Sequence, residues 1–105
     1  MGKSRAQLYA KLQAFKDELS ICESISDLLD TKGFKLAVKE YKAKFKDAID
    51  AENKKEISSY KKTLDLIIDF QTFLSSQRRR AEEIPELINE IEFDLQQGNF
   101  FEWKM

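Results

Sequence analysis

Apolar residues recur at helical spacing almost from the start of this chain. Leu8, Leu12, Phe15, Leu19 and Cys22 follow one another at intervals of four, three, four and three. That is the seam of a helix that packs on another helix. Ile25 and Leu29 continue the stripe after one slip. Ser4 and Gln7 stand at the S-x-x-Q spacing of a capping box. The pattern predicts a first helix over residues 4 to about 30.

A second helix is predicted from about Phe34 to Glu52, with Phe34, Val38, Tyr41, Phe45 and Ile49 on one apolar face. Gly33, just before it, is expected to supply the positive-φ residue that closes the first helix. Asn53 with Glu56 has the look of a further N-cap, so a third helix should begin near Lys54. Its stripe is Ile57, Tyr60, Leu64, Ile67 and Leu74, and Leu66, Ile68, Phe70 and Phe73 widen it. So broad an apolar surface usually touches two neighbours, which places this helix centrally. Pro85 forbids an unkinked helix through the following turns but suits a first helical position. A short fourth helix is therefore expected from Ile84 or Pro85, with Ile84, Leu87, Ile88, Ile91 and Leu95 as its apolar face. Gly98-Asn99 is a stop signal.

The expected fold is all-α: an elongated bundle of three longer helices plus a short C-terminal fourth helix. Residues 1–98 form a single domain in this reading, and residues 99–105 an aromatic tail. Two helices of about 26 residues would each extend roughly 40 Å. An elongated small bundle buries its core incompletely, which favours association with further copies.

Composition narrows the class. Only three glycines and one proline interrupt 105 residues, and 35% of positions are charged, which suits a helical protein with a charged exterior. The longest apolar cluster, residues 64–74, contains Asp65 and Asp69 and is far shorter than the roughly 20 residues of a membrane span. No apolar segment of a secretory signal follows Lys3 and Arg5. With Cys22 as the single cysteine, no internal disulfide forms. A soluble protein of a reducing, cytoplasmic compartment is expected, without membrane contact.

The chemistry of catalysis is missing. The chain has no histidine, which removes the commonest general base and the Ser-His and Cys-His constellations. One cysteine cannot build a zinc cluster, and no phosphate-cradling glycine motif occurs. Glu82, Glu83, Glu86 and Glu90 read as a solvated acidic face at a helix start. No enzyme activity, no cofactor and no metal site are expected.

Charge is segregated although the formal net charge is only -1. Residues 54–80 carry seven basic and three acidic side chains, and residues 81–105 carry seven acidic and one basic. Lys35, Lys39, Lys42 and Lys46 form one stripe at 4-3-4 spacing beside the apolar face of the second helix. Their stems fit the margin of a core with the ammonium groups in water. The same stripe, and the run Arg78-Arg79-Arg80, are candidate contacts for phosphate or for an acidic partner. The arginines also fit charge pairing at a helix C-terminus. Phe100, Phe101 and Trp103 are aromatic anchors suited to a protein partner, a second copy or the protein's own bundle.

Leu28-Leu29, the corner Gly33-Phe34-Lys35-Leu36, the polar break from Asn53 to Glu56, and Pro85 follow one another in an order that resembles small helical proteins of tailed bacteriophages. The likeness covers roughly residues 8 to 90. The corner carries Phe34 where that set has tryptophan. The resemblance implies a phage-encoded protein without catalytic activity, tied to particle assembly or structure, and it transfers no functional residues. The sequence thus points to a structural or assembly protein working through helix-helix contacts as a homo-oligomer or with a protein partner. A small nucleic-acid-binding regulator using the lysine stripe and the arginine run is the alternative.

Overall fold

The computed structural model describes residues 4–99. It is helical and contains no β-strand among those residues. Helix α1 spans Arg5–Ser26 and runs into a 3₁₀ turn over Asp27–Asp30. Helix α2 spans Lys32–Asp50, and helix α3 spans Lys54–Gln97. The described residues group into two compact units. One comprises residues 4–24 and 78–99, and the other is Ile25–Gln77. The division falls inside α3, between Gln77 and Arg78, at the start of the arginine run.

Local chemistry sets the helix ends. The Ser4 backbone N–H donates to Gln7 Oε1 at 2.9 Å, and the Gln7 N–H donates to Ser4 Oγ at 3.1 Å. That is the reciprocal capping box expected for α1. The Glu56 N–H donates to Asn53 Oδ1 at 3.2 Å and caps α3 as expected. At the far end Gly98 adopts φ 72°. Its N–H donates to the Leu95 carbonyl, and the Asn99 N–H to that of Asp94, which completes a Schellman stop. Helix α2 ends in the same motif without a glycine. Glu52 takes φ 54°, its N–H donates to Ile49, and the Asn53 N–H donates to Ala48.

The corner between α1 and α2 is built differently from the expectation. Gly33 lies inside α2 and has no positive φ. Thr31 makes the corner, in extended backbone at φ -70° and ψ 142°. Its hydroxyl donates to the Leu28 carbonyl at 2.8 Å and accepts the Phe34 N–H at 3.2 Å. One side chain therefore closes the 3₁₀ turn and caps α2.

The expected fourth helix does not exist, because α3 continues through Pro85 to Gln97. An internal proline removes one helix hydrogen bond and crowds the preceding turn, at a cost of about 3 kcal/mol. Pro85 itself faces solvent. Ile84, Ile88 and Ile91 are buried on the other side of the same turns, Ile84 with 0% exposure. Burying each such side chain stabilises by about 1.5–3 kcal/mol, so three together outweigh the proline.

In the first unit Leu8, Leu12 and Cys22 of α1 join Ile84, Ile88 and Ile91 of α3 in one buried cluster. Phe15, Leu19, Ala81 and Leu95 pack around it. The predicted α1 seam is thus the core of this unit, and the Cys22 thiol is part of that interior.

The second unit pairs α2 with the first half of α3. Leu64 and Leu74 are buried, and Ile57, Tyr60 and Ile67 are half-buried, so the predicted α3 stripe faces inward. The predicted α2 face is half-buried at Phe34, Val38, Tyr41 and Phe45, and departs only at its last position, where Ala48 is buried and Ile49 is exposed. Rings fill the remaining space, with Phe34 edge-on to Phe70 at 6.1 Å and Tyr41 edge-on to Tyr60 at 6.3 Å between centroids. The widened α3 face is not covered. Leu66 is 70% exposed, and Ile68, Phe70 and Phe73 also lie open.

Candidate interaction surface

Helix α2 carries the lysine stripe as the sequence spaces it. Lys35, Lys39, Lys42 and Lys46 are all exposed, and Phe34, Val38, Tyr41 and Phe45 beside them are half-buried. At the N-terminal end of the stripe a shallow groove of about 220 Å³ opens between Leu29, Phe34, Lys35, Val38 and Gln71. Its walls are mainly apolar, and Lys35 stands on the rim. Lys44, outside the stripe, pairs with Glu40 at 3.3 Å and lies over the Tyr41 ring. The Glu40 hydrogen bond raises the Lys44 pKa.

The arginine run does not act as one patch. Arg80 donates twice to Glu18, from Nε at 2.8 Å and from the terminal guanidinium nitrogen at 3.0 Å. It also lies 3.8 Å from Glu83 and 5.9 Å from the centre of the Phe15 ring. The Arg80 hydrogen bonds hold the Glu18 carboxyl below its ordinary pKa, against the opposing effect of its partial burial. Arg80 is raised for the reciprocal reason. This fork is an internal brace between α1 and α3 within one unit. Arg79 is exposed and Arg78 half-buried, and neither is brought together with the lysine stripe in one unit. Phe100, Phe101 and Trp103 lie outside the described residues.

A second strip extends the acidic face expected from Glu82, Glu83, Glu86 and Glu90 by two residues, Asn89 and Phe93, that the sequence patterns did not single out. Glu82, Glu86, Asn89 and Phe93 lie on one face of α3 at 4-3-4 spacing, with Glu90 adjoining, and all are exposed. Phe93 is 57% exposed. The available signal was its position: two residues after Ile91, it falls about 200° around the helix from the buried face.

No described side chain has a buried polar atom without a hydrogen-bond partner. Among the described residues no group of three or more His, Cys, Asp or Glu is placed to hold a metal ion, and no helix is long and apolar enough to cross a membrane. Comparison of the chain with protein-family models, with curated proteins and with solved structures finds no match.

Proposed function

We propose that this is a non-enzymatic structural or assembly protein that works through helix-helix contacts with other protein surfaces. The observation that carries the reading is the uncovered apolar face of α3 formed by Leu66, Phe70 and Phe73, with Ile68 exposed on the other flank of the same helix. Leu66, Ile68, Phe70 and Phe73 are all exposed in the described chain. Apolar groups grouped on one element favour a partner surface over water. The order of Leu28-Leu29, Gly33-Phe34-Lys35-Leu36, the polar break from Asn53 to Glu56, and Pro85 along the sequence supports placing the role in the assembly or structure of a phage particle, in the host cytoplasm or the virion. Light scattering and a pull-down test the reading. Self-association or a defined protein partner is expected, and a strict monomer that binds no protein would overturn it.

The exposed lysine stripe favours one alternative, a small nucleic-acid-binding regulator. It predicts DNA or RNA binding that weakens with salt and drops when Lys39 and Lys42 become Glu. No binding at low salt removes this alternative.

A further inference from the structure

Two exposed strips of this chain match in spacing and oppose in charge. On α2 the order from the C-terminal end is Lys46, Lys42, Lys39, Lys35, at intervals of four, three and four. On α3 the order from the N-terminal end is Glu82, Glu86, Asn89, Phe93, at the same intervals. Laid antiparallel, Lys46 meets Glu82 and Lys42 meets Glu86. Lys39 meets Asn89, with Glu90 one residue further on, and Lys35 meets Phe93. Each strip covers about 16 Å of helix. One step beyond, the exposed Arg79 falls beside Asp50 at the C-terminal end of α2.

The last position of this register carries the apolar content. Lys35 stands on the rim of the groove lined by Leu29, Phe34 and Val38. Phe93 is the aromatic side chain left in water at the matching end of the acidic strip. A groove of about 220 Å³ has room for one ring, since an apolar cavity of about 150 Å³ binds benzene.

Resting on the assembly reading above, we infer that the partner of the α2 surface is a second copy of this chain. The acidic strip of α3 in one copy lies antiparallel along the lysine stripe of α2 in the other, and Phe93 enters the groove beside Lys35. Exposed ion pairs contribute little individually and weaken with salt. The charges therefore set direction and register, and Phe93 burial supplies most of the affinity. The two faces are different surfaces, so the contact is heterologous. It closes as a dimer only when two copies make it reciprocally, and otherwise builds a ring or filament.

Sedimentation velocity on the full chain over a range of concentrations tests this, with circular dichroism confirming that each variant stays helical. The variants are the triple change Lys39→Glu, Lys42→Glu, Lys46→Glu, the double change Glu82→Lys, Glu86→Lys, and Phe93→Ala. All these positions are solvent-exposed. Each variant alone should associate about tenfold or more less tightly than the natural chain, and association of the natural chain should weaken between about 50 mM and about 500 mM salt. Mixing the two charge-reversed variants should restore a complex, because each then offers the other a complementary strip. Association that none of the variants weakens would end this inference and leave the assembly reading standing. So would a natural chain that stays monomeric but binds a different, defined protein. A natural chain that neither self-associates nor binds any protein ends both.

Discussion

The two units are each built from two helical segments, yet they solve burial differently. The unit of residues 4–24 and 78–99 has six buried apolar side chains in one cluster, closed by the Arg80–Glu18 fork. The Ile25–Gln77 unit buries Ala48, Leu64 and Leu74 and fills the rest with half-buried rings. It also exposes more large apolar side chains, including Leu36, Ile49, Leu66 and Phe70. Apolar content in the sequence is therefore a poor guide to which unit is better packed. A surface that spends its aliphatic residues on the outside is shaped for contact rather than for its own stability.

The largest expected effect comes from emptying the stronger unit. Ile84→Ala should cost about 2–5 kcal/mol in chemical denaturation. By hydrogen exchange, amides of residues 84–95 in the natural chain should be the slowest in α3, and this substitution should bring them towards the rates of residues 57–70. Equal protection of both stretches in the natural chain would remove the contrast between the units.

Strengthening the weaker unit is the complementary change. Glu52 holds a left-handed conformation that costs a non-glycine residue roughly 1–2 kcal/mol, and glycine is the usual residue there. Glu52→Gly should raise the denaturation midpoint, with a gain of about 1 kcal/mol. Phe70→Ala should cost only about 1 kcal/mol, because the residue is 44% exposed and contributes chiefly its contacts with Phe34 and Phe73. A loss as large as that of Ile84→Ala would show that the open face carries more of the fold than its exposure suggests. Gly33→Ala should stabilise by about 0.5–1 kcal/mol in a thermal melt, since Gly33 is helical and an added Cβ meets nothing within 4 Å.

The smallest effect concerns charge. The Glu18 carboxyl is held below its ordinary pKa by Arg80. Its contribution is therefore complete above the unfolded carboxylate value of about 4.3 and fades as pH falls through the lower folded value. Glu18→Gln should lower stability slightly at neutral pH and flatten the decline of stability with acid below about pH 4. An unchanged acid profile would show that other carboxylates set it.

Much of the local structure was legible because it is local. Ser4 with Gln7, Asn53 with Glu56, and Gly98 with Asn99 announce ends whose hydrogen bonds close within a few residues. The seam from Leu8 to Cys22 was legible because burial of a helix face follows a fixed period. Pro85 misled because a local penalty of known size was weighed without the burial of Ile84, Ile88 and Ile91, which lies in tertiary structure. Gly33 and Thr31 stand within three positions of each other, and backbone freedom made the glycine the obvious choice for the corner that Thr31 builds. The hydroxyl of Thr31 does more, serving one carbonyl and one amide at once. Periodicity also shows that Leu66, Phe70 and Phe73 share a face, but not what covers it. Of the candidate site, the lysine stripe could be read from spacing. The groove could not, because Leu29 and Gln71 meet Phe34, Lys35 and Val38 only after the chain has turned twice.

The Glu18–Arg80 pair links residues 62 positions apart, whereas Tyr41 and Tyr60 are separated by one turn of chain between two consecutive helices. Closing a long loop costs more entropy than closing a short one, and distant contacts form later. The thinly packed hairpin of α2 and α3 should therefore organise first, although it is the weaker unit at equilibrium. Once formed, it shortens the free loop that the α1 seam must cross to find Ile84 and Ile88. The less stable half of the molecule is in this sense the folding template of the more stable half. Mutations that loosen it should slow folding while leaving the unfolding rate of the buried cluster nearly unchanged.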